Sequence, residues 1–259
     1  ALSSAASDVY KRQLVKDYVH PETGKTYNVD KLELKTDEGR GFGKAKFILK
    51  EGGTLGDLYT HADLKRDING NILIDDSGNV TAIDNAGDIK LGSVLPKANL
   101  AWNNSFSYKG INAGFLLTAR LGGIVYSATQ AYLDLYGVSE TSAAARDAGG
   151  VWINGRSHVN PQSFYEVVAS QSGLPTYYTY SATNLRLQEA HIGYTVPRRW
   201  LGNVCDINVS LAGRNLWMIY CKAPFDPEAV ATTNNYYQGI DYFMMPSTRN
   251  IGFNIKINF

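Results

Sequence analysis

The sequence predicts an all-β protein, an antiparallel transmembrane β-barrel fragment whose long strands have one apolar and one polar face. The main observation is the carboxyl-terminal segment, where apolar and polar residues alternate up to an aromatic last residue, an ending typical of outer-membrane barrels. Side chains of a strand alternate between its two faces, and a tilted strand of about 9–11 residues spans a bilayer core. We therefore expect one face to contact lipid. The residues of that face are Ile251, Phe253, Ile255, Ile257 and Phe259.

The composition is consistent with this fold class and argues against a nucleic-acid partner. The 25 Lys and Arg residues balance 24 Asp and Glu residues, giving a formal net charge of +1, whereas nucleic-acid-binding domains carry a basic face. The chain has 17 Tyr and 25 Gly residues, which suit the aromatic girdles and turns of barrels. No apolar run in the sequence approaches the ~18 residues of a transmembrane helix.

Alternating apolar residues predict further strands along the chain. The predicted strands before the terminal one cover residues 45–60, 99–110, 111–123, 185–197 and 204–220, with the end of an earlier strand at residues 28–35. In residues 185–197 the apolar phase shifts between Leu187 and Ala190. A β-bulge near Gln188-Glu189 would restore a single apolar face, so we predict one there.

The connections alternate in length. Short turns are predicted at Lys109-Gly110 and residues 198–203, and long loops at residues 60–97, 124–184 and 222–248. Outer-membrane barrels have short periplasmic turns and long extracellular loops, so we expect the three long loops to be extracellular. The side chains expected near the ends of the apolar band, as an aromatic girdle, are Trp102, Tyr108, Tyr194 and Trp217.

Residues 1–13 are expected to lie outside the folded chain. The segment from Ser3 to Gln13 matches the in-frame translation of a common sequencing adapter. We interpret residues 1–13 as an adapter-derived artefact and residues 14–259 as the carboxyl-terminal part of a β-barrel.

Cys205 and Cys221 are predicted to be free thiols. They lie near opposite ends of one predicted strand, roughly 50 Å apart at ~3.3 Å per residue. A disulfide requires Cα atoms within about 7 Å of each other.

The carboxyl-terminal third resembles the SusC/RagA family of TonB-dependent outer-membrane transporters. The motifs that carry the resemblance are Gly213-Arg-Asn-Leu-Trp-Met-Ile-Tyr220, Phe225-Asp-Pro-Glu228, Gly239-Ile-Asp-Tyr-Phe243 and Pro246. Three further segments support it: Leu185-Arg-Leu-Gln-Glu-Ala-His-Ile-Gly-Tyr-Thr-Val-Pro197, Trp102-Asn-Asn-Ser-Phe-Ser-Tyr-Lys109 and Gln130-Ala-Tyr-Leu-Asp-Leu-Tyr-Gly137. The resemblance covers residues 28–259.

The resemblance implies a 22-stranded barrel in the bacterial outer membrane, of which residues 14–259 would form the carboxyl-terminal part. This part would be an open, curved sheet of the last six or seven strands. The family also implies an amino-terminal plug domain and a segment that contacts the TonB complex, both preceding this chain. It implies a SusD-like surface lipoprotein as a lid over the barrel, with oligosaccharides or peptides as substrates.

The long loops contain the candidate contacts to substrate or lid, because aromatic side chains stack on sugar rings and carboxylates hydrogen-bond hydroxyl groups. The candidates are Tyr132, Tyr136, Trp152, Tyr236, Tyr237, Asp241 and Tyr242. Packing of the aromatic residues against one another within the loops is the alternative.

No cofactor or metal site is predicted, because the four His residues have no metal-ligand spacing. Two Asp- and Gly-containing segments, residues 67–71 and 75–79, depart from the EF-hand pattern. Hairpin turns at Asn69-Gly70 and Ser77-Gly78 explain these segments better.

Two other classes of protein stay open at this point. A secreted, soluble β-sandwich that binds carbohydrate would also have strands with one apolar face, packed inward. A glycan-active enzyme would need a carboxylate pair such as Asp226 and Glu228, but these residues also fit a loop motif of the family. We predict no enzymatic activity.

Overall fold

The computed structural model describes residues 15–29, 31–34, 44–155, 157–170, 173–202, 204–230 and 239–258. The chain divides into two compact units. Residues 1–95, 124–180 and 230–244 form one unit, here called the loop unit. Residues 96–123, 181–229 and 245–259 form the other, here called the sheet unit. Residues 1–13, which were expected to be an artefact, lie outside the described residues.

The secondary structure consists mainly of strands. The strands of the loop unit are β1 (Val15–Val19), β2 (Thr26–Val29), β3 (Lys31–Glu33), β4 (Ala45–Lys50), β5 (Asp57–Thr60), β6 (Asp63–Leu64), β7 (Ala82–Ile83), β8 (Ile89–Ser93), β11 (Ile124–Ser127), β12 (Val151–Ile153), β13 (Ser157–Val159), β14 (Thr179–Ser181, ending in the sheet unit) and β17 (Ile240–Asp241). Those of the sheet unit are β9 (Ala98–Tyr108), β10 (Ile111–Leu121), β15 (Asn184–Val196), β16 (Asp206–Cys221) and β18 (Asn250–Asn258). The helices are α1 (Ala128–Leu135), α2 (Glu140–Asp147), α3 (Pro161–Val168) and a short 3-10 turn (Arg198–Leu201).

The sheet unit is a five-stranded antiparallel sheet with the spatial order β18-β16-β15-β10-β9. Within the described residues β9 and β18 each pair on one side, so the sheet is open, as predicted. Lys109 and Gly110 form the two-residue turn between β9 and β10 with φ values of 47° and 86°. Such positive φ values match the right-handed twist of a hairpin. A Cβ atom on Gly110 would lie 2.8 Å from the Thr195 carbonyl oxygen, so a side chain has no room there.

Cross-strand pairing gathers the apolar residues on one face. One row crosses all five strands and consists of Phe106, Ala113, Ile192, Leu211 and Phe253. The expected girdle residues lie on the same face in two rows: Tyr108 with Tyr194, nearer the short turns, and Trp102 with Trp217. At ~3.4 Å per residue these rows are about 20 Å apart, close to the height of a lipid-facing apolar band.

The opposite face is polar and internally hydrogen-bonded. The Ser107 hydroxyl donates to Asn112 Oδ1 at 2.8 Å. The amide groups of Asn112 and Asn208 both donate to Thr195 Oγ1, at 3.3 and 2.8 Å. The two faces thus differ as the sequence alternation predicts.

The predicted bulge is confirmed, and β16 is irregular opposite it. The register of β10 with β15 passes from Leu187 to Glu189, so Gln188 has no partner on β10. On the other side β16 skips Asn215 and Leu216, and Asn215 adopts a φ of 51°. Gln188 Nε2 donates to Asn215 Oδ1 at 2.9 Å, joining the two irregular segments. The shift keeps Leu187 and Ala190 on the apolar face. A further register shift between Leu185 and Arg186 skips Ile219.

The loop unit contains strands and helices within the predicted long loops. It has its own core, centred on Phe47, Leu58, Val94, Tyr126 and Ile240. Its larger sheets have the orders β3-β4-β5-β8 and β14-β11-β17. The turns at Asn69-Gly70 and Ser77-Gly78 are confirmed by bridges on either side of each turn.

The single strand predicted over residues 45–60 is wrong. The chain instead reverses between β4 and β5, which pair with each other. Gly52 adopts a φ of 74° at the reversal, and a Cβ atom on Gly53 would lie 2.9 Å from the Asp57 carboxylate. The Gly52-Gly53 pair therefore acts as a turn.

The three helices were not predicted, although each begins at a good N-cap. Ser127, Ser139 and Asn160 accept hydrogen bonds from backbone amides of the first turns of α1, α2 and α3. Pro161 follows Asn160 at the first helical position, where its missing N–H has no cost. None of the helices in the described ranges is long and apolar enough to cross a membrane.

The core of the loop unit can be tested by truncating Leu58, which is fully buried. We expect Leu58→Ala to lower the free energy of unfolding by about 2–5 kcal/mol, because it removes buried methyl groups and leaves a cavity. Leu55→Ala, at a 43% exposed position, should change it by less than about 0.5 kcal/mol. Protease resistance of the loop unit against increasing urea gives the measurement. Equal losses in both variants would contradict the assigned core.

Candidate functional site

The structure brings two of the predicted loop aromatics together. Tyr132 on α1 packs against Tyr242 with ring centroids 6.3 Å apart and against Phe243 at 5.6 Å. The Tyr242 and Phe243 rings are 5.3 Å apart. The Phe243 amide donates to Thr129 Oγ1 at 2.6 Å, which fixes this segment on the first turn of α1. We call Tyr132, Tyr242 and Phe243 the aromatic cluster.

The aromatic cluster is accessible. Phe243 is 57% exposed and its neighbour Met244 is 43% exposed. Phe243 was not among the predicted contacts, although its position directly after Tyr242 and before two Met residues was a usable signal. Exposed contiguous apolar surface on a folded unit is typical of binding sites.

The remaining candidates lie apart from this cluster or outside the described residues. Tyr136, just after α1, is 74% exposed. Trp152 is 62% exposed and packs edge-on against His158 across the β12–β13 hairpin, with centroids 3.6 Å apart. Tyr236 and Tyr237 fall outside the described residues.

Asp241, one of the candidate contacts to substrate or lid, has a buried position. Its carboxylate oxygen Oδ2 accepts a hydrogen bond from the Ser127 hydroxyl at 2.6 Å. Ser127 Oγ in turn accepts the Gln130 amide as the N-cap of α1. Asp241 therefore orders the start of the helix that carries Tyr132, and direct contact with substrate is not supported for it.

A second buried carboxylate holds the other end of α1. Asp134 accepts hydrogen bonds from Gln130 Nε2 and the Tyr178 hydroxyl, each at 3.0 Å, and from Ser139. Burial, reinforced by the Asp134 charge, raises the pKa of Tyr178 and raises the pKa of Tyr180 to about 12. Both tyrosines thus stay protonated at neutral pH.

The terminal strand presents its apolar residues on the surface. Among the described ones, Ile251 and Phe253 are 69% and 66% exposed, and Ile255 and Ile257 are about half exposed. Phe259 lies outside the described residues. Water does not favour such a row, so this face requires an apolar environment.

The sheet unit contains a buried ion-pair network that the sequence did not predict. Arg186 on β15 is 4% exposed, and its Nη2 donates to Asp226 Oδ1 at 2.7 Å. Its Nη1 donates to Ser247 Oγ at 3.1 Å, and Glu228 Oε2 lies 3.5 Å from Nη2. The Ser247 amide also donates to Asp226 Oδ2. Through Arg186 on β15, the network connects the loop after β16 with the residues just before β18.

The network bears on whether Asp226 and Glu228 could act as a catalytic carboxylate pair. Asp226 and Glu228 both bind one guanidinium group. A glycosidase pair must keep one group as acid and the other as base or nucleophile, so this shared partner favours a structural role. In the described ranges, no group of three or more His, Cys, Asp or Glu side chains is placed to hold a metal ion.

A cavity of about 400 Å³ adjoins the network in the sheet unit. Its wall is partly charged and partly apolar. The lining residues are Arg186, Asn215, Met218, Cys221, Ala223, Pro224, Phe225, Asp226, Pro246, Ser247 and Arg249. The free thiol Cys221, at the end of β16, lies in this wall.

The network predicts a pH-dependent stability. Burial opposes ionisation of Asp226, but hydrogen bonds from Ser247, the Glu228 amide and Arg186 outweigh it, so the pKa of Asp226 is lowered. The stabilisation is therefore complete above the pKa of about 3.9 of an unfolded Asp and is lost as the pH falls through the lowered value. We expect Asp226→Asn to lower stability at pH 7 by about 1–3 kcal/mol and to lose less on acidification than the unsubstituted chain.

Urea unfolding of the sheet unit at pH 7 and at pH 3 measures this effect. Glu189→Gln is the matched control, because Glu189 pairs with Arg214 at 3.1 Å with both side chains largely exposed. Such a surface pair contributes about 0–1 kcal/mol. The same stability loss in both variants would refute the role assigned to Asp226.

The chain is similar to known transport proteins. The curated TonB-dependent receptor P3 of Formosa agariphila is 23% identical over 254 residues, covering 88% of this chain and 24% of that protein. No family model matches the sequence. The fold is similar to two solved structures, the RagAB peptide transporter (TM-score 0.57, 17% identity) and the RagAB peptide importer in the closed-closed state (TM-score 0.55, 15% identity).

Both structural comparisons cover 90% of this chain and 25% of the matched chain. The chain thus spans about a quarter of the length of the relatives it matches. Together these similarities support the resemblance to SusC/RagA-type TonB-dependent receptors, and they confirm the antiparallel barrel-wall fold. The relatives are receptors and transporters rather than enzymes.

Proposed function

We propose that this chain is the carboxyl-terminal part of an outer-membrane importer that is driven through TonB. One observation carries the proposal: the five-stranded sheet has an exposed apolar face on every strand, opposite a hydrogen-bonded polar face. Such a wall is stable where lipid covers one face and the polar interior of a barrel lies on the other. The similarity to a TonB-dependent receptor supports this reading.

The long loops at residues 60–97, 124–184 and 222–248 would lie on the extracellular side, since they are the connections opposite the short turns. There they would contact the substrate, a SusD-like surface lipoprotein, or both. The substrate would be an oligosaccharide or a peptide, and the RagAB neighbours are described as a peptide importer. Contact with the TonB complex is proposed for the whole transporter rather than for the residues of this chain.

A soluble carbohydrate-binding β-sandwich is the second candidate function. It requires a second sheet to cover the apolar face, because a half-exposed core is unstable in water. In the described part of the chain each of the five strands has exposed apolar side chains on that face, among them Trp102, Ile111, Ile192, Leu211 and Phe253. The outer-membrane function is therefore favoured.

Lipid contact of the terminal strand predicts that a charge on its apolar face prevents insertion. We expect Phe253→Lys to destabilise the inserted barrel by about 2–4 kcal/mol, because a charged group would enter the hydrocarbon region. Asn254→Lys, on the opposite face of the same strand, should insert normally. Heat-modifiable migration on gels and recovery in the outer-membrane fraction give the readout. Recovery of both variants without detergent would favour the soluble β-sandwich.

The aromatic cluster is proposed to contact substrate or lid. Phe243→Asn suits the φ of 50° at this position, since Asn tolerates positive φ. In the whole transporter it should weaken substrate or lipoprotein binding by about 5- to 30-fold, the range of a 1–2 kcal/mol contact. Ile68→Asn, at a fully exposed position of the loop unit, is the control. Unchanged affinity for both ligands would remove the cluster from the binding surface.

A further inference from the structure

The cavity of the sheet unit contains a buried hydrogen-bond donor without a partner. The two terminal nitrogens of Arg186 bind Asp226 and Ser247. The Arg186 side chain is 96% buried. Its Nε is also buried, and it has no hydrogen-bond partner among the described residues. A buried N–H of a guanidinium group without an acceptor is costly. Occupancy of the cavity by an acceptor would remove this cost.

The same wall carries a second guanidinium group. Arg249 lines the cavity and is exposed, and no described carboxylate forms an ion pair with it. Arg186 is paired with both Asp226 and Glu228, so Arg249 is the guanidinium group of the wall that is available for an ion pair with a ligand. Apolar side chains, including Met218 and Phe225, complete the wall.

We infer that this cavity binds a carboxylate-bearing end group of the transported substrate, between Arg186 Nε and Arg249. A carboxylate offers the planar pair of acceptors that guanidinium groups bind best. A cavity of about 400 Å³ is within the range of small-ligand sites and would enclose one residue of a chain. The free carboxylate of a peptide and the carboxylate of an acidic sugar share this chemistry.

The inference rests on the proposed import function. The cavity is lined by Arg186, on the polar face of the sheet, and by residues of the connection between β16 and β18. Arg186 occupies the row of the polar face that includes Thr118 and Met218. In an importer this face would line the substrate path. The Asp226–Arg186 pair would act as the fixed wall, and Arg249 as the group that meets the incoming charge.

The test is calorimetric titration of the whole transporter, purified in detergent, with two matched pairs of probes. The first pair is N-acetyl-alanyl-phenylalanine and its carboxamide; the second is digalacturonate and its methyl ester. We expect the acid of at least one pair to bind and its neutral partner to bind at least about tenfold more weakly, the usual effect of losing a charged hydrogen bond. Which acid binds identifies the source of the carboxylate.

Variants assign the binding to this cavity. Arg249→Gln should weaken acid binding at least about tenfold, and Arg186→Lys, which keeps a cation near Asp226 but lacks the Nε–H donor, should also weaken it. Arg214→Gln is the control, because Arg214 pairs with Glu189 elsewhere on the polar face. Acid binding that is equal in all four proteins, or equal affinity for acids and neutral partners, would overturn the inference. If neither acid binds, the inference is overturned as well.

The two proposals fail separately. A chain that requires detergent and inserts normally but ignores both acids would leave the import function standing and remove the carboxylate site. A chain that stays soluble without detergent would contradict the barrel wall, and its acid binding would still be measurable in the same titration.

Discussion

The antiparallel backbone pairing of the five long strands is the constraint on which the other features depend. Because side chains alternate along each strand, a shift of one residue in any ladder would exchange the apolar and polar faces. The bulge at Gln188 and the irregularity of β16 at Asn215 show how strictly this condition is met. The chain accepts two local irregularities, joined by a side-chain hydrogen bond, and keeps Leu187 and Ala190 on one side.

The long connections show a different solution to the same problem of burial. They fold on a core of their own instead of extending from the strands as flexible loops. Two buried carboxylates, Asp134 and Asp241, tie the ends of α1 to distant segments through Tyr178 and Ser127. Each of these buried carboxylates accepts a hydrogen bond, because burying an unpaired carboxylate in the protein interior costs free energy. These hydrogen bonds hold α1, and with it Tyr132, in a fixed position.

Local patterns in the sequence predicted the sheet well because alternation, tight turns and even the bulge are recorded in neighbouring residues. The reversal at Gly52-Gly53 was missed because the apolar residues of β4 and β5 read as one run. The helices were missed since their caps, Ser127, Ser139 and Asn160, are weak signals without the tertiary contacts. Arg186 could not be assigned at all, because its partners lie 40 and 61 residues away in the chain. Only the folded sheet brings them together.

The unequal connections also have a kinetic consequence. The turn at Lys109-Gly110 joins β9 to β10 with minimal loss of chain entropy, so this hairpin can form early, in microseconds if it behaves as small hairpins do. The pairing of β16 with β18 must close residues 222–249, and such non-local pairing is slower. The Arg186 network anchors both ends of that connection to β15. The pairing of the last strand, β18, therefore depends on Arg186, a side chain of another strand.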